Sequence, residues 1–177
     1  MSTQKNVLQE AGTVEENRLR IPEDKAEQII DALNTDLAAT YVLYHQLRKH
    51  HWNVEGPQYR ELHLFLGEAA EEAEEAADEI AERVQALGGV PVANMTSLEE
   101  RAPVDMEDDD VYEIRTSLEH DLEMYGDIIE TARDHIELST NLGDHASAEM
   151  LRLQLVELEE HAHTIEHFLG KDSLQDW

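Results

Sequence analysis

The sequence predicts an all-α protein built as a four-helix bundle, and three observations carry that prediction. Apolar residues recur at steps of three and four along four long stretches, the period of one helix face. The 8 glycines and 4 prolines fall mostly between those stretches. One connection, Val90 to Asp110, is too long for a turn, so the middle of the chain crosses the bundle rather than folding straight back.

Residues 1 to about 20 carry little periodicity and mixed charge, and read as an extended tail, with a matching short tail at 171–177 and the bundle over 21–170. The first long helix is expected from Pro22, a favourable first-turn residue followed by Glu23 and Asp24, to about Trp52. Its stripe is Ile30, Leu33, Leu37, Tyr41, Tyr44 and Leu47, and His51 continues it. A short link with Gly56 and Pro57 makes the second long helix, about Tyr59 to Leu87, an antiparallel neighbour. Its core stripe is Tyr59, Leu62, Leu66, Ala69, Ala73, Ala76, Ile80, Val84 and Leu87, and Gly88 and Gly89 end it.

Within the crossover, Thr96 to Glu99 has a capping-box pattern that starts a short helix through Arg101. Asp108 to Asp110 then place anions at the start of the third long helix, with the stripe Val111, Ile114, Leu118, Leu122, Tyr125, Ile129, Ala132 and Ile136. The fourth begins near Asp144 and shows Leu151, Leu155, Leu158, Ala162, Ile165 and Leu169 before Gly170. Four long helices with one long middle connection make a ferritin-like bundle the first choice.

Composition narrows the chemistry. With no cysteine there is no disulfide, thiolate site or thiol nucleophile, so His, Asp and Glu are the available metal ligands, and these suit iron, manganese or zinc. No apolar run is long enough to span a bilayer and the N-terminus lacks an export pattern, so a cytoplasmic protein is expected. The net charge of −28, from 41 acidic and 13 basic residues, favours a high-salt cytosol, where the Debye length falls to about 3 Å and self-repulsion nearly vanishes. A generic acidic protein is the plainer alternative.

Glu68, Glu71, Glu75, Asp78 and Glu82 form an acidic stripe along the second long helix, beside its apolar one. His51 and His63 flank the bend at similar distances from it and can offer two imidazoles at one level. His63 and Asp78 are 15 residues apart, about 22 Å along a helix, so they cannot share an ion within one chain. Two copies of this helix paired antiparallel about a twofold axis near residue 72 would set position 63 against 82 and 67 against 78. An intersubunit site follows, with His51 and His63 from one chain and Asp78 and Glu82, at i and i+4, from its mate. A di-iron site inside one bundle would need two Glu-x-x-His motifs on long helices, and only Glu160 to His163 is present.

These residues carry a resemblance. HHWNVEG, then Tyr59, Leu62 and His63, then Asp78, Ala81, Glu82 and Arg83 ahead of LGG resemble the signature of the Dps mini-ferritins. The likeness extends over about residues 22 to 170, and the acidity resembles a haloarchaeal member. It implies a dodecameric shell of four-helix subunits, with Fe(II) oxidised by hydrogen peroxide, or more slowly by dioxygen, at twofold interfaces. The product would be stored as ferric mineral, protecting DNA. By motif, His51, His63, Asp78 and Glu82 match the ferroxidase ligands, and Trp52 matches the aromatic residue beside them. One position departs: Gly67 stands where the family usually has an acidic residue, which leaves the second iron position open, with Glu68 a possible substitute.

Other ligand-bearing residues have two readings each. Glu71, Glu72 and Glu75 either bind ferric ions and seed mineral or form a solvated charged face. His163 and His167, at i and i+4, could hold a transient metal, and surface polarity explains them equally well. Asp144, His145 and Glu149 open the fourth helix, which by the resemblance lines threefold pores, so they are candidates for an iron uptake route. Direct DNA binding is not expected. Residues 1–22 hold Lys5, Arg18 and Arg20 against Glu10, Glu15 and Glu16, so they offer phosphate no net cation.

Overall fold

A computed structural model describes residues 6–170, so Lys5 and the C-terminal tail at 171–177 lie outside the described residues. The chain forms five helices: α1 (Glu23–Asn53), α2 (Tyr59–Ala86), α3 (Met95–Arg101), α4 (Ile114–Leu142) and α5 (His145–Phe168), with no strand among the described residues. This is the expected all-α, ferritin-like four-helix bundle, with α3 in the crossover. Pro22 precedes α1 at φ −54°, and its carbonyl accepts from the amides of Lys25 and Ala26. Glu23 and Asp24 then sit in the first turn, where the helix dipole favours anions.

The helices bury two apolar clusters, divided along the length of α1. Leu43 and Leu47 pack with Leu62, Leu66 and Tyr125 towards one end, and Ile29, Leu33, Ile80, Val84 and Leu87 pack together at the other. Helix α1 is the hub, lying against α2, α3 and α4, while α5 packs on α4. Helices α2 and α5 meet only sparsely and leave a cleft of about 440 Å³ between them. Tyr59, assigned to the core stripe, is instead exposed at the first turn of α2.

Three further expectations are corrected. The N-terminal segment has no helix over residues 6–22, yet it is fastened to the bundle rather than trailing from it. Val14 and Ile21 pack on the second cluster, Gln9 and Glu15 both donate to the Gly88 carbonyl, and buried Asn17 bonds both the amide and the carbonyl of Ile21. Gly88 permits this twice over: its φ is +92°, and a Cβ there would stand 2.1 Å from the Glu15 carbonyl oxygen.

The cap of α3 is Asn94, whose side chain accepts from the amides of Thr96 and Ser97, and not Thr96. Asparagine is the stronger N-cap, and the helix starts two residues earlier than the capping box implied. Helix α4 starts at Ile114, with Glu113 at the N-cap position making no side-chain cap bond, so Asp108 to Asp110 do not open it. Asp108 folds back on the crossover instead, accepting from the Tyr112 hydroxyl and the Asp110 amide, and Val111 is 64% exposed.

Candidate metal centre

The last turn of α1 and the first turns of α2 bring His51 and His63 together. Their rings stack at 3.8 Å between centroids, and Tyr59 stacks on the outer face of His63 at 5.0 Å. His51 Nδ1 lies 2.7 Å from the His63 carbonyl, and His63 Nδ1 lies 2.9 Å from the His51 carbonyl. Carbonyl oxygens only accept, so both Nδ1 atoms carry hydrogen and donate. With Nδ1 engaged in this way, Nε2 is the ring atom left to bind a metal. The backbone carbonyls play the orienting role that ligand histidines require.

Gly67 completes the stack from below. A Cβ at this position would lie 3.0 Å from His51 Cε1 and 3.1 Å from Nδ1, so the ring occupies the space a side chain would need. The absent acidic residue and the seat of His51 are thus one structural fact. Glu68 is exposed and has no hydrogen bond or ion pair to either imidazole.

Asp78 and Glu82 are exposed on α2, and neither forms a hydrogen bond or ion pair among the described residues. Helix rise separates Asp78 from His63 by about 22 Å. Among the described residues, no group of three His, Asp or Glu side chains is arranged to hold an ion within one chain. The imidazole pair, where the end of α1 meets the start of α2, and the carboxylate pair further along α2 are therefore separate within one chain. Trp52 beside the pair is 70% exposed.

A family model for the ferritin-like domain matches residues 30–174. A DNA protection during starvation protein from Halobacterium salinarum is 65% identical over 98% of this chain and 96% of its own length. A nutrient stress-induced DNA-binding protein from Synechococcus is 36% identical over 98% of both chains. Among solved structures, an archaeal Dps homologue from Halobacterium salinarum superposes with a TM-score of 0.94 at 64% identity, covering 98% of this chain and 97% of that one. DpsC from Streptomyces coelicolor superposes at 0.93 with 30% identity, covering 96% and 99%. The chain belongs to the Dps family of ferritin-like proteins.

In this Dps chain a buried polar cluster, not anticipated from sequence, fixes the end of α1 that carries His51. His50 Nδ1 lies 2.8 Å from Asp121 on α4, and its Nε2 lies 2.5 Å from Glu107 in the crossover. Lys49 Nζ donates to Glu107 at 2.6 Å and His120 Nδ1 reaches its other oxygen at 2.5 Å, while Gln46 bonds Asp121 and the Glu107 amide. Burial pushes the Glu107 carboxyl up, but the bonds from Lys49, His50 and His120 outweigh it and hold the group at about 2. Burial lowers His50, and the two carboxylates on either side outweigh that and raise it. The imidazolium is thus clamped between anions of two other elements. The clamp thereby fixes the turn of α1 that carries the neighbouring His51.

The remaining candidates are dispersed. Glu71 lies 3.8 Å from Arg48, Glu72 lies 2.9 Å from His161, and Glu75 is exposed on the rim of the α2–α5 cleft. His163 and His167 meet with Nε2 atoms 3.0 Å apart on the exposed face of α5. Asp144 corrects the uptake expectation. It is 3% exposed, caps α5 through the Ser147 amide and hydroxyl, and receives Arg83 Nη2 at 2.6 Å. Its oxygens are committed to structure, whereas His145 and Glu149 remain exposed.

Proposed function

We propose that this Dps protein oxidises Fe(II) with hydrogen peroxide, or more slowly with dioxygen, and stores the ferric product inside a dodecameric shell, so protecting DNA from iron-driven oxidation. The observation that carries the reading is a pair of candidate half-sites, one at the α1–α2 bend and one further along α2. Two imidazoles whose Nδ1 atoms are engaged by backbone carbonyls stand at one end, and two carboxylates one helical turn apart, without a bonding partner among the described residues, stand at the other. Antiparallel pairing of two α2 helices would close both sites at once, with His51 and His63 from one chain and Asp78 and Glu82 from its mate. Mixed imidazole and carboxylate donors suit iron, and carboxylates favour the harder Fe(III) product.

Iron is here the substrate and then the cargo. Glu71 and Glu75, between the two half-sites along α2, are proposed to gather ferric ions, and His163 with His167 to hand metal along α5; Glu72 stays bound to His161. Without Asp144, the proposed uptake surface narrows to His145 and Glu149. Direct DNA binding is not part of the reading. The net charge of −28 supplies no cationic patch for phosphate, and screening by salt removes repulsion without creating attraction.

The test is anaerobic loading with Fe(II) followed by peroxide, with ferric absorbance and peroxide followed together. Wild type is expected to consume peroxide and form ferric product. Combined His51→Ala and His63→Ala should slow the step by at least the roughly 10- to 100-fold that loss of groups merely supporting a metal's ligands costs. An unchanged rate in that variant would remove the imidazole pair from the site, and stoichiometric binding without peroxide consumption would make the protein a metal buffer.

A further inference from the structure

The cleft between α2 and α5 contains a hydrogen-bonded chain with no part in either half-site. Tyr125 of α4 is wholly buried at the floor of the cleft. Its hydroxyl lies 3.3 Å from His161 Nδ1 on α5, and His161 Nε2 lies 2.9 Å from Glu72 Oε2 on α2. A carboxylate accepts, so Nε2 carries the hydrogen whenever the ring holds a single one. Nδ1 is then left to accept from the phenol. The three groups form a directed path from a buried phenol to an exposed carboxylate. The mouth of the cleft is lined by Glu72, Glu75, Glu79 and Glu157.

We propose that Tyr125 is a redox-active residue that quenches hydroxyl radical produced where Fe(II) on Glu75, Glu79 and Glu157 meets peroxide, its proton leaving through His161 and Glu72, which stays bound to the imidazole and not to iron. The source of the radical rests on the iron reading above; the proton path rests on the geometry alone. In the step, one electron passes from the phenol to hydroxyl radical. The phenolic proton moves to His161 Nδ1 as the Nε2 proton moves to Glu72, which delivers it to the nascent hydroxide. The balance is hydroxyl radical plus tyrosine giving water plus tyrosyl radical. A second Fe(II) then reduces the tyrosyl while the proton returns by the same path, restoring tyrosine and leaving Fe(III). Overall, one hydroxyl radical, one Fe(II) and one proton become water and Fe(III).

Physical chemistry favours this residue among the five tyrosines. Burial, reinforced by the anions of Asp121 and Glu72, pushes its hydroxyl far above the ordinary phenol range, so it cannot ionise in advance. Electron loss must therefore be coupled to proton transfer, and His161 is the base placed to accept. Helix rise puts Glu72 about 14 Å from His63, which separates the quenching site from the imidazole pair.

Two measurements decide the matter. In iron-free protein, azide radicals from pulse radiolysis, followed by freeze-quench electron paramagnetic resonance, should give a tyrosyl signal. Tyr125→Phe, which keeps the packing and removes only the hydroxyl, should lose most of it, and His161→Phe should lower its yield. An undiminished signal in Tyr125→Phe overturns the assignment, and an undiminished one in His161→Phe overturns the proton path. With Fe(II) and peroxide, Tyr125→Phe should oxidise iron at the wild-type rate but release several-fold more spin-trapped hydroxyl radical. Equal release from both proteins overturns the quenching role. Absence of iron oxidation in wild type would instead count against the ferroxidase reading, and the iron-free experiment still tests the tyrosine.

Discussion

Gly67 is where a single residue controls most. The stack Tyr59, His63, His51 ends on its bare Cα, and the Nδ1 of His51 is already tied to the His63 carbonyl. Gly67→Ala would press a methyl group into the imidazole, which cannot tilt without losing that bond or the ring stack. Overpacking of this kind costs about 1–3 kcal/mol, against which the helix propensity gained from alanine is about 1 kcal/mol. The variant is therefore expected to fold with near-native stability but bind Fe(II) more weakly, as isothermal titration calorimetry would register. Unaltered affinity would mean that the ring shifts without consequence. The departure from the family pattern at this position was visible in the sequence. Its cause was not, because only packing sets position 67 beneath a ring 16 residues earlier.

The residues around His50 lay beyond sequence reading for a related reason. His51 and His63 could be paired because both flank one short bend, whereas His50 meets Glu107 and Asp121 from 57 and 71 positions away. No local pattern marks such partners. Glu107 accepts from Lys49, His50 and His120, so Glu107→Gln would turn an amide towards at least one donor. Loss of a charged hydrogen bond costs about 1.5–3 kcal/mol, and denaturant titration should show destabilisation of that order. Fe(II) binding at the proposed site should weaken with it, since the clamp holds the turn that carries His51.

At the scale of elements, the long helices were legible because each needs one apolar face, and Leu33, Leu47, Leu66, Ile80 and Tyr125 lie buried where periodicity set them. Boundaries were less so. Helix α4 loses its expected first turn because Asp108 is used by Tyr112 and the Asp110 amide, a local competition that turns win over helix. Asp144, read as a metal-handling residue, is the rivet between α2 and α5: it caps one helix and holds Arg83 of the other.

The two inter-element carboxylates give the fold a defined acid response. Burial raises both, but the Arg83 and Ser147 bonds hold Asp144 below its ordinary value of 3.8, and three donors hold Glu107 at about 2 against an ordinary 4.5. A depressed carboxylate contributes stability that is complete above its unfolded pKa and disappears as pH falls through the folded one. Stability at constant salt should therefore decline between pH 4.5 and about 2. In Glu107→Gln that decline should be shallower. An equal slope in both proteins would show that Glu107 does not govern the acid limb.

For the whole molecule, charge rather than topology decides the conditions under which it can work. A net −28 spread over one small bundle repels itself, and the proposed twofold pairing of α2 helices brings two acidic stripes together. At about 0.1 M salt the Debye length is about 10 Å, comparable to the distance between packed helices, and at 1 M it is about 3 Å. Repulsion across such an interface is thus felt at the lower concentration and nearly gone at the higher. Sedimentation velocity on metal-free protein is expected to show dissociation towards small species as potassium chloride falls from about 1 M to 0.1 M, with a parallel drop in melting temperature. Asp78→Asn combined with Glu82→Gln would relieve the repulsion of the paired stripes, so the variant should stay assembled at lower salt while losing Fe(II) affinity. Iron added to wild type at low salt should act in the same direction, because bound cations neutralise the carboxylates that otherwise push the chains apart. If assembly instead proved indifferent to salt and to these two carboxylates, the α2 helices would not be the paired elements, and the two half-sites would lack the route that completes them.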